Sequence, residues 1–142
     1  MGIELTPDEQ LEVFGDADPT EHAAEAEQRW GDTDAWQEST RRTSSYGKQD
    51  WQRMRLEQEA VEQCFADALA AGLSAASDEA RAAAAAHRAH ISTWFYEVSP
   101  EMHRGLADMY VADERFAAHY DKRAAGLAAY VRDVIHANAD RE

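Results

Sequence analysis

The chain has 142 residues, with 14 Lys and Arg against 28 Asp and Glu and a single Cys, for a net charge of −14 with neutral histidines. That length holds one domain with a real core, and the acidic balance excludes a direct grip on nucleic-acid phosphates or a polybasic contact with a membrane. No apolar run approaches the roughly 20 residues that span a bilayer, and one Cys closes no intrachain disulfide, as expected of a cytoplasmic chain.

The opening MGIELTPDEQ lacks the basic flank and apolar core of a signal peptide. Thr6 stands where a myristoylation signal has Ser or Thr, but Glu4 and the want of a second anchor oppose that reading. Residues 1–38 hold twelve acidic side chains against Arg29 alone, a net charge of −11. Most of these carboxylates read as a solvated acidic face; the sharper reading, because like charges on one stretch repel a compact state, is that this third is only loosely folded by itself.

Helix signals come in close order. Thr6-Pro7-Asp8-Glu9 is a capping box with Pro at the first helical position, and Gly15 is placed to end that helix. Asp18-Pro19-Thr20-Glu21 repeats the start signal, with Gly31 as the stop. A third helix is predicted from Asp32 or Thr33 to near Gly47, and a fourth from Lys48 or Asp50 to Gly72. Residues 73–77 are small and polar and read as a loop. A fifth helix follows from Asp78 to about Tyr96, with Ala80, Ala84, His87, Ile91 and Trp94 on its apolar seam at helical spacing. The alanines at 82–86 sit inside that seam, where Ala is the strongest helix former.

Ser99-Pro100-Glu101 opens a sixth helix and Asp113 caps a short seventh. The last helix is expected from about Arg123 to Asn138, with Leu127, Tyr130, Val134 and Ile135 on its apolar side. No stretch alternates long enough to make a strand. The fold class is therefore all-α, with about eight helices.

The apolar faces carry aromatics. Trp94-Phe95-Tyr96 cannot all enter one core, because neighbours on a helix stand about 100° apart. Met102, Met109 and Tyr110 follow within one helix. These side chains can be ordinary core, or they can line a groove for a large, flat, apolar ligand. His87 and His90 lie three apart on one helix, with Glu101 and His103 a short way on. Such a set could hold a transition metal, but there is no HExxH, nor the Glu-x-x-His pairs of a carboxylate bundle. A histidine bonded to a neighbouring helix is the expected alternative. Cys64, beside Phe65, reads as a small core residue. No Gly-rich loop follows a strand, and nothing supplies an oxyanion hole near Ser92, Ser99 and His103, so no enzyme and no cofactor are expected.

WGDTDAW (residues 30–36), KQDWQRM (48–54), HRAHI (87–91), WFYEVSPEMHRGLADMYVADERF (94–116) and GLAAYVRDVIHANA (126–139) together resemble the TipAS antibiotic-recognition family. The resemblance covers nearly the whole chain. It implies a globin-like helical framework with N-terminal helices that are loose until drug binds. It also implies the effector role of a MerR-type transcription activator, or a stand-alone resistance protein, which sequesters a thiopeptide such as thiostrepton without chemistry. The Met1-Gly2-Ile3 start matches the internally initiated form such regulators also make. The winged helix-turn-helix through which the long form reaches DNA is not among these residues. Where the thiostrepton-binding family member has a drug-capturing Cys just before the EMH motif, this sequence has Val98, so reversible binding is expected.

On this resemblance and the helix faces together, the polar anchors of the ligand are expected to be His87, Glu101 and His103. The apolar walls would be Trp94, Tyr96, Met102, Leu106, Met109 and Tyr110, next to the Val98 loop. Phe14, Trp30, Trp36 and Trp51 would fold over the top, and the chain is expected to divide into a mobile acidic lid at residues 1–50 and a stable helical core at 51–142. The competing expectation is a protein–protein module that offers acidic helices and exposed aromatics to a basic partner, and a weaker one is a histidine-metal hydrolase.

Overall fold

The structure, a computed structural model, describes residues 5–14, 28 and 31–140, with the backbone alone at 10, 11, 13 and 14. Among the described residues there are seven α-helices and no strand. They are α1 (Pro7–Phe14), α2 (Asp34–Thr43), α3 (Lys48–Ala70), α4 (Asp78–Trp94), α5 (Pro100–Ala112), α6 (Glu114–Arg123) and α7 (Leu127–Ala139). Of the helix expected between Asp18 and Gly31 only residues 28 and 31 are described, and the stop at Gly15 lies outside the described residues, as do residues 1–4, 15–27, 29 and 30 of the expected lid.

The caps explain the boundaries. The Thr6 N–H donates to Glu9 Oε1 at 3.1 Å and the Glu9 N–H to Thr6 Oγ1 at 3.2 Å, the reciprocal pair of a capping box. Thr33 Oγ1 accepts from the Trp36 N–H at 3.1 Å and starts α2. That helix stops at Thr43, short of the expected Gly47, because Gly47 belongs to the next one. Its N–H donates to Asp50 Oδ2 at 3.0 Å and its carbonyl accepts from the Trp51 N–H at 3.1 Å. Beyond α3, Gly72 takes a φ of +70°, and the Leu73 N–H reaches back to the Ala68 carbonyl at 3.1 Å. This six-to-one bond is the Schellman ending, which only glycine adopts without strain. Ser77, Ser99 and Asp113 cap α4, α5 and α6 with side-chain oxygens.

The last helix begins later than expected. Arg123 ends α6, Ala124 is extended at φ −156°, and Gly126 turns at φ +79° before α7 starts at Leu127. Gly126 offers no side chain to cap with, and Asp121 Oδ1 instead accepts from the Ala128 N–H at 3.0 Å.

The chain divides into two compact units. The first takes Met1–Glu57 and Ile91–Glu97, and the second takes Gln58–His90 and Val98–Glu142. The expected boundary near residue 50 falls within the first unit. In the second, α7 packs on α5 and α6. Its core is Phe65 from α3, Ala80, Ala83 and Ala84 from α4, Ala107 and Tyr110 from α5, Tyr120 from α6, and Leu127, Val131, Val134 and Ile135 from α7. The core side chains of α4 in this cluster are alanines, while α7 supplies the bulk. In the first unit, Trp51, Met54 and Trp94 form a buried cluster with Leu5, Tyr46 and Phe95 against it.

Candidate functional site

In the first unit, Trp94 is the hub. Its indole Nε1–H donates to Glu57 Oε1 at 2.9 Å, the Arg53 guanidinium lies 5.1 Å over its ring, and Tyr46 meets it edge-on at 5.4 Å. Tyr46 also meets Trp51 edge-on at 5.5 Å, geometry favoured by the ring quadrupoles. The last carbonyls of α4 have no partner within the helix and need donors. Arg42 Nη1 donates to the Ser92 carbonyl at 2.7 Å, and the Tyr46 hydroxyl donates to the Trp94 carbonyl. A cation at a helix C-terminus also complements the macrodipole.

Besides Asn138, two polar groups are buried among the described residues of the second unit. One is a histidine pair. His87 on α4 and His103 on α5 are 8% and 1% exposed, and His87 Nδ1 lies 2.8 Å from His103 Nε2. The rings are nearly parallel, 19° apart in plane. One nitrogen donates and the other accepts, so the pair is satisfied while neutral. The Tyr120 hydroxyl lies 3.5 Å from His87 Nε2, the outer limit of a hydrogen bond. Phe65 and Tyr110 stand edge-on to the His87 ring. Burial pushes His87 down to about 4 against the pull of Glu62, with His90 adding to the fall. Burial also pushes His103 down to about 3, helped by His87 and Arg88.

The other enclosed group is Glu62 on α3, 2% exposed. It accepts from Gln58 Nε2 at 2.9 Å and bonds His119 Nε2 at 2.9 Å, with Arg123 Nε 3.7 Å away. Burial raises its carboxyl, but the hydrogen bonds from His119 and Gln58 and the charges of His119 and Arg123 outweigh that and hold it below the ordinary value. A buried carboxylate persists only with such partners.

The expected site residues fall into groups. Trp51 at 0% and Trp94 at 5% are core of the first unit, with Trp36 and Tyr96 half-buried there. In the second unit His87, His103 and Tyr110 come together as core. Leu106 and Met109 are half-buried against that core, while Met102 is exposed at 40% and Glu101 is exposed. Val98 is 2% exposed, with its carbonyl held by Arg88 Nη1 at 3.0 Å. Trp30 and the Phe14 side chain lie outside the described residues. The residues not singled out from the sequence are Tyr46, Glu57, Glu62, His119 and Tyr120. Spacing along the chain gave no hint of them, because the contacts of Tyr46 and Glu57 with Trp94, of Glu62 with His119 and of Tyr120 with His87 join residues remote in the chain.

Cys64 corrects the expectation of a core thiol, because it is exposed on the outer side of α3, away from buried Phe65. A thiol at Val98 would be enclosed instead. Val98→Cys is therefore expected to react with a bulky maleimide at least about tenfold more slowly than Cys64, which reacts as an open surface thiol. Quantitative labelling followed by peptide mass mapping checks this, and equal rates would show that the loop before α5 opens readily.

Among the described residues no group of three or more His, Cys, Asp or Glu is placed to hold a metal ion, and no helix is long and apolar enough to cross a membrane. The described residues are helical, with Met102 exposed on α5 and the buried imidazoles of His87 and His103 in contact with each other. The family model of the TipAS antibiotic-recognition domain matches residues 22–138, and the chain belongs to that family. This is a family of ligand-binding effector domains, not of catalysts.

The chain is 48% identical to the HTH-type transcriptional activator TipA of Streptomyces coelicolor over 141 residues, which is 99% of this chain and 56% of that protein. It thus spans just over half the length of the curated relative. A solved structure of TipAS from Streptomyces lividans, a thiopeptide antibiotic multidrug resistance protein in complex with nosiheptide, is 47% identical. It superposes with a TM-score of 0.89, over 99% of this chain and 98% of that one. The antibiotic-binding domain of a TipA-class multidrug resistance transcriptional regulator is 44% identical with a TM-score of 0.59, over 64% of this chain and 97% of that one.

Proposed function

We propose that this chain binds a thiopeptide antibiotic reversibly and sequesters it, in the cytoplasm. It does so as the drug-sensing part of a MerR-type transcriptional regulator or as a resistance protein by itself, and any contact with DNA is made by a helix-turn-helix outside these residues. The observation that carries this reading is the likeness along 99% of the chain to a domain solved with nosiheptide. In the second unit, the ligand-facing surface is assigned to Met102, Leu106 and Met109 on α5. Met102 is the exposed large apolar side chain of that helix, and the other two are half-buried behind it. An apolar ligand gains chiefly from the area that it and these side chains remove from water.

Tryptophan-fluorescence titration with nosiheptide is expected to saturate at one equivalent. At a free concentration of about 100 times Kd the ligand adds roughly 2.7 kcal/mol of stability, visible as a rise in melting temperature. No fluorescence change and no thermal shift with any of a panel of thiopeptides would reject the reading. Met102→Ala is expected to weaken binding more than Glu101→Gln, both being surface changes on the same turn. Equal effects would place the ligand away from α5.

A further inference from the structure

The second unit holds a buried histidine pair that pins α5 to α4, and its position bears on the surface just assigned. Along α5 the buried residues are His103, Ala107 and Tyr110, spaced four and three apart. Met102, Leu106 and Met109 repeat that spacing one residue earlier. Successive residues on a helix are about 100° apart, so the second stripe lies about 100° round the helix from the first. The rotation of α5 about its own axis therefore decides how much of Met102, Leu106 and Met109 faces out.

Apolar packing holds α5 against α7, whose Leu127, Val131, Val134 and Ile135 are buried in the shared core. Two directional contacts add a specific register to that packing. Near its start α5 is pinned to α4 by the 2.8 Å contact of His87 Nδ1 with His103 Nε2. Two turns on, Tyr110 is hydrogen-bonded to Tyr120 of α6, with ring centroids 5.3 Å apart. The Tyr120 hydroxyl closes the set by its approach to His87 Nε2. The charged and titratable groups acting on the histidines are Glu62 of α3, and Arg88 and His90 of α4 itself, and none comes from α7. Burial keeps Tyr120 a protonated phenol, and the tautomer pair we infer is the one in which its hydroxyl donates to His87 Nε2. His87 then carries its proton on Nδ1 and donates to His103 Nε2, which leaves the His103 proton on Nδ1.

We propose that His87 and His103 are positioning residues for ligand recognition: their N–H···N bond sets the rotation of α5 and so the aspect of the Met102, Leu106 and Met109 stripe. This rests on the reading of that stripe as ligand-facing, but the rotation itself is measurable without ligand.

The test separates position from stability through a physical asymmetry. Removing one partner strands a buried polar nitrogen, whereas replacing both with apolar rings can be nearly neutral for stability. The full chain is prepared as wild type, His103→Gln, His103→Phe and the double variant His87→Phe/His103→Phe. Imidazole 15N spectra of the wild type are expected to show both rings as Nδ1–H tautomers, with a coupling between His87 Nδ1 and His103 Nε2 across the hydrogen bond. The Met102 and Met109 methyl resonances are expected to stay in place in His103→Gln, which keeps a hydrogen-bonding group, and to move in both Phe variants.

In nosiheptide titrations the double variant is expected to melt within a few degrees of wild type and yet to bind at least tenfold more weakly, with His103→Gln within about threefold of wild type. A double variant with wild-type methyl shifts and wild-type affinity would overturn the proposal and leave the pair a stabilising contact only. Methyl shifts that move while affinity is unchanged would overturn it too, since rotation would then not matter for recognition. A wild type that does not bind nosiheptide rejects the functional reading, while the apo methyl spectra still decide whether the pair sets the helix.

Discussion

Between pH 7 and pH 4 the protein is expected to lose stability steeply, and the histidine pair is expected to carry much of the loss. Unfolded imidazoles take up a proton near pH 6.5. In the folded protein His87 does so near 4 and His103 near 3. Below pH 6.5 the unfolded chain therefore binds protons that the folded chain refuses. Stability is fully present above that value and falls as the pH drops towards the folded values. Carried down to pH 4, each histidine costs on the order of 3 kcal/mol, within a total that for a domain is about 5–15 kcal/mol. Glu62 adds to this from below its ordinary value, since its held-down carboxyl favours the folded state only while ionised.

Protonation of surface carboxylates works the other way over the same range, because it relieves part of the −14 charge. The comparison that isolates the pair is therefore the wild type against His87→Phe/His103→Phe, melted by circular dichroism at half-unit steps of pH. The wild type is expected to lose several kcal/mol more than the double variant. Parallel curves would show that the histidines take up protons as readily in the folded protein as in the unfolded chain.

Trp51→Ala is expected to be the most damaging single truncation in the first unit. The side chain is fully buried, and it contacts Tyr46 edge-on and Phe95 at 6.5 Å between ring centroids. Cutting a buried Trp to Ala loses its transfer free energy and leaves a cavity that the surroundings fill only in part. The cost is about 3–5 kcal/mol. Leu56→Ala on the same helix is the control, because Leu56 is 72% exposed and its loss should stay within about 0.5 kcal/mol. Urea unfolding of both variants, with unchanged slope, measures the difference. A Trp51→Ala cost near that of Leu56→Ala would mean that the cluster does not hold the first unit together.

Much of this fold was legible because its punctuation is local. Thr6 with Glu9, Ser77, Ser99 and Asp113 announce helix starts by side chains that bond backbone within three residues, and each does so. The seam of α4 was legible for the same reason, since periodicity is a property of one helix. The late start of α7 was missed because Arg123 and Ala124 are good helix formers, and only the left-handed turn at Gly126 interrupts them. Cys64 was misjudged from its neighbour Phe65, although adjacent residues on a helix face different ways. The site was less legible than the fold. His87 and His103 are sixteen residues apart, and Glu62 and His119 fifty-seven, so no spacing could announce that either pair would meet. The histidines read either as anchors offered to a ligand or as side chains bonded to a neighbouring helix, and in the structure they meet each other across α4 and α5.

The division of the chain has a practical bearing on how the molecule can be taken apart. Each unit is assembled from two separate stretches, and the switch points at 57–58 and 90–91 fall inside α3 and α4. No single cut of the gene or nick by a protease can release either unit intact, and a truncation at residue 50 deletes Tyr46 while leaving Trp94 and its exposed carbonyl behind. Dissection of this protein calls for split complementation, with the break placed in the turn at residues 73–77. That position leaves α3 and α4 whole on opposite fragments, and it obliges the two halves to find each other before either unit can form.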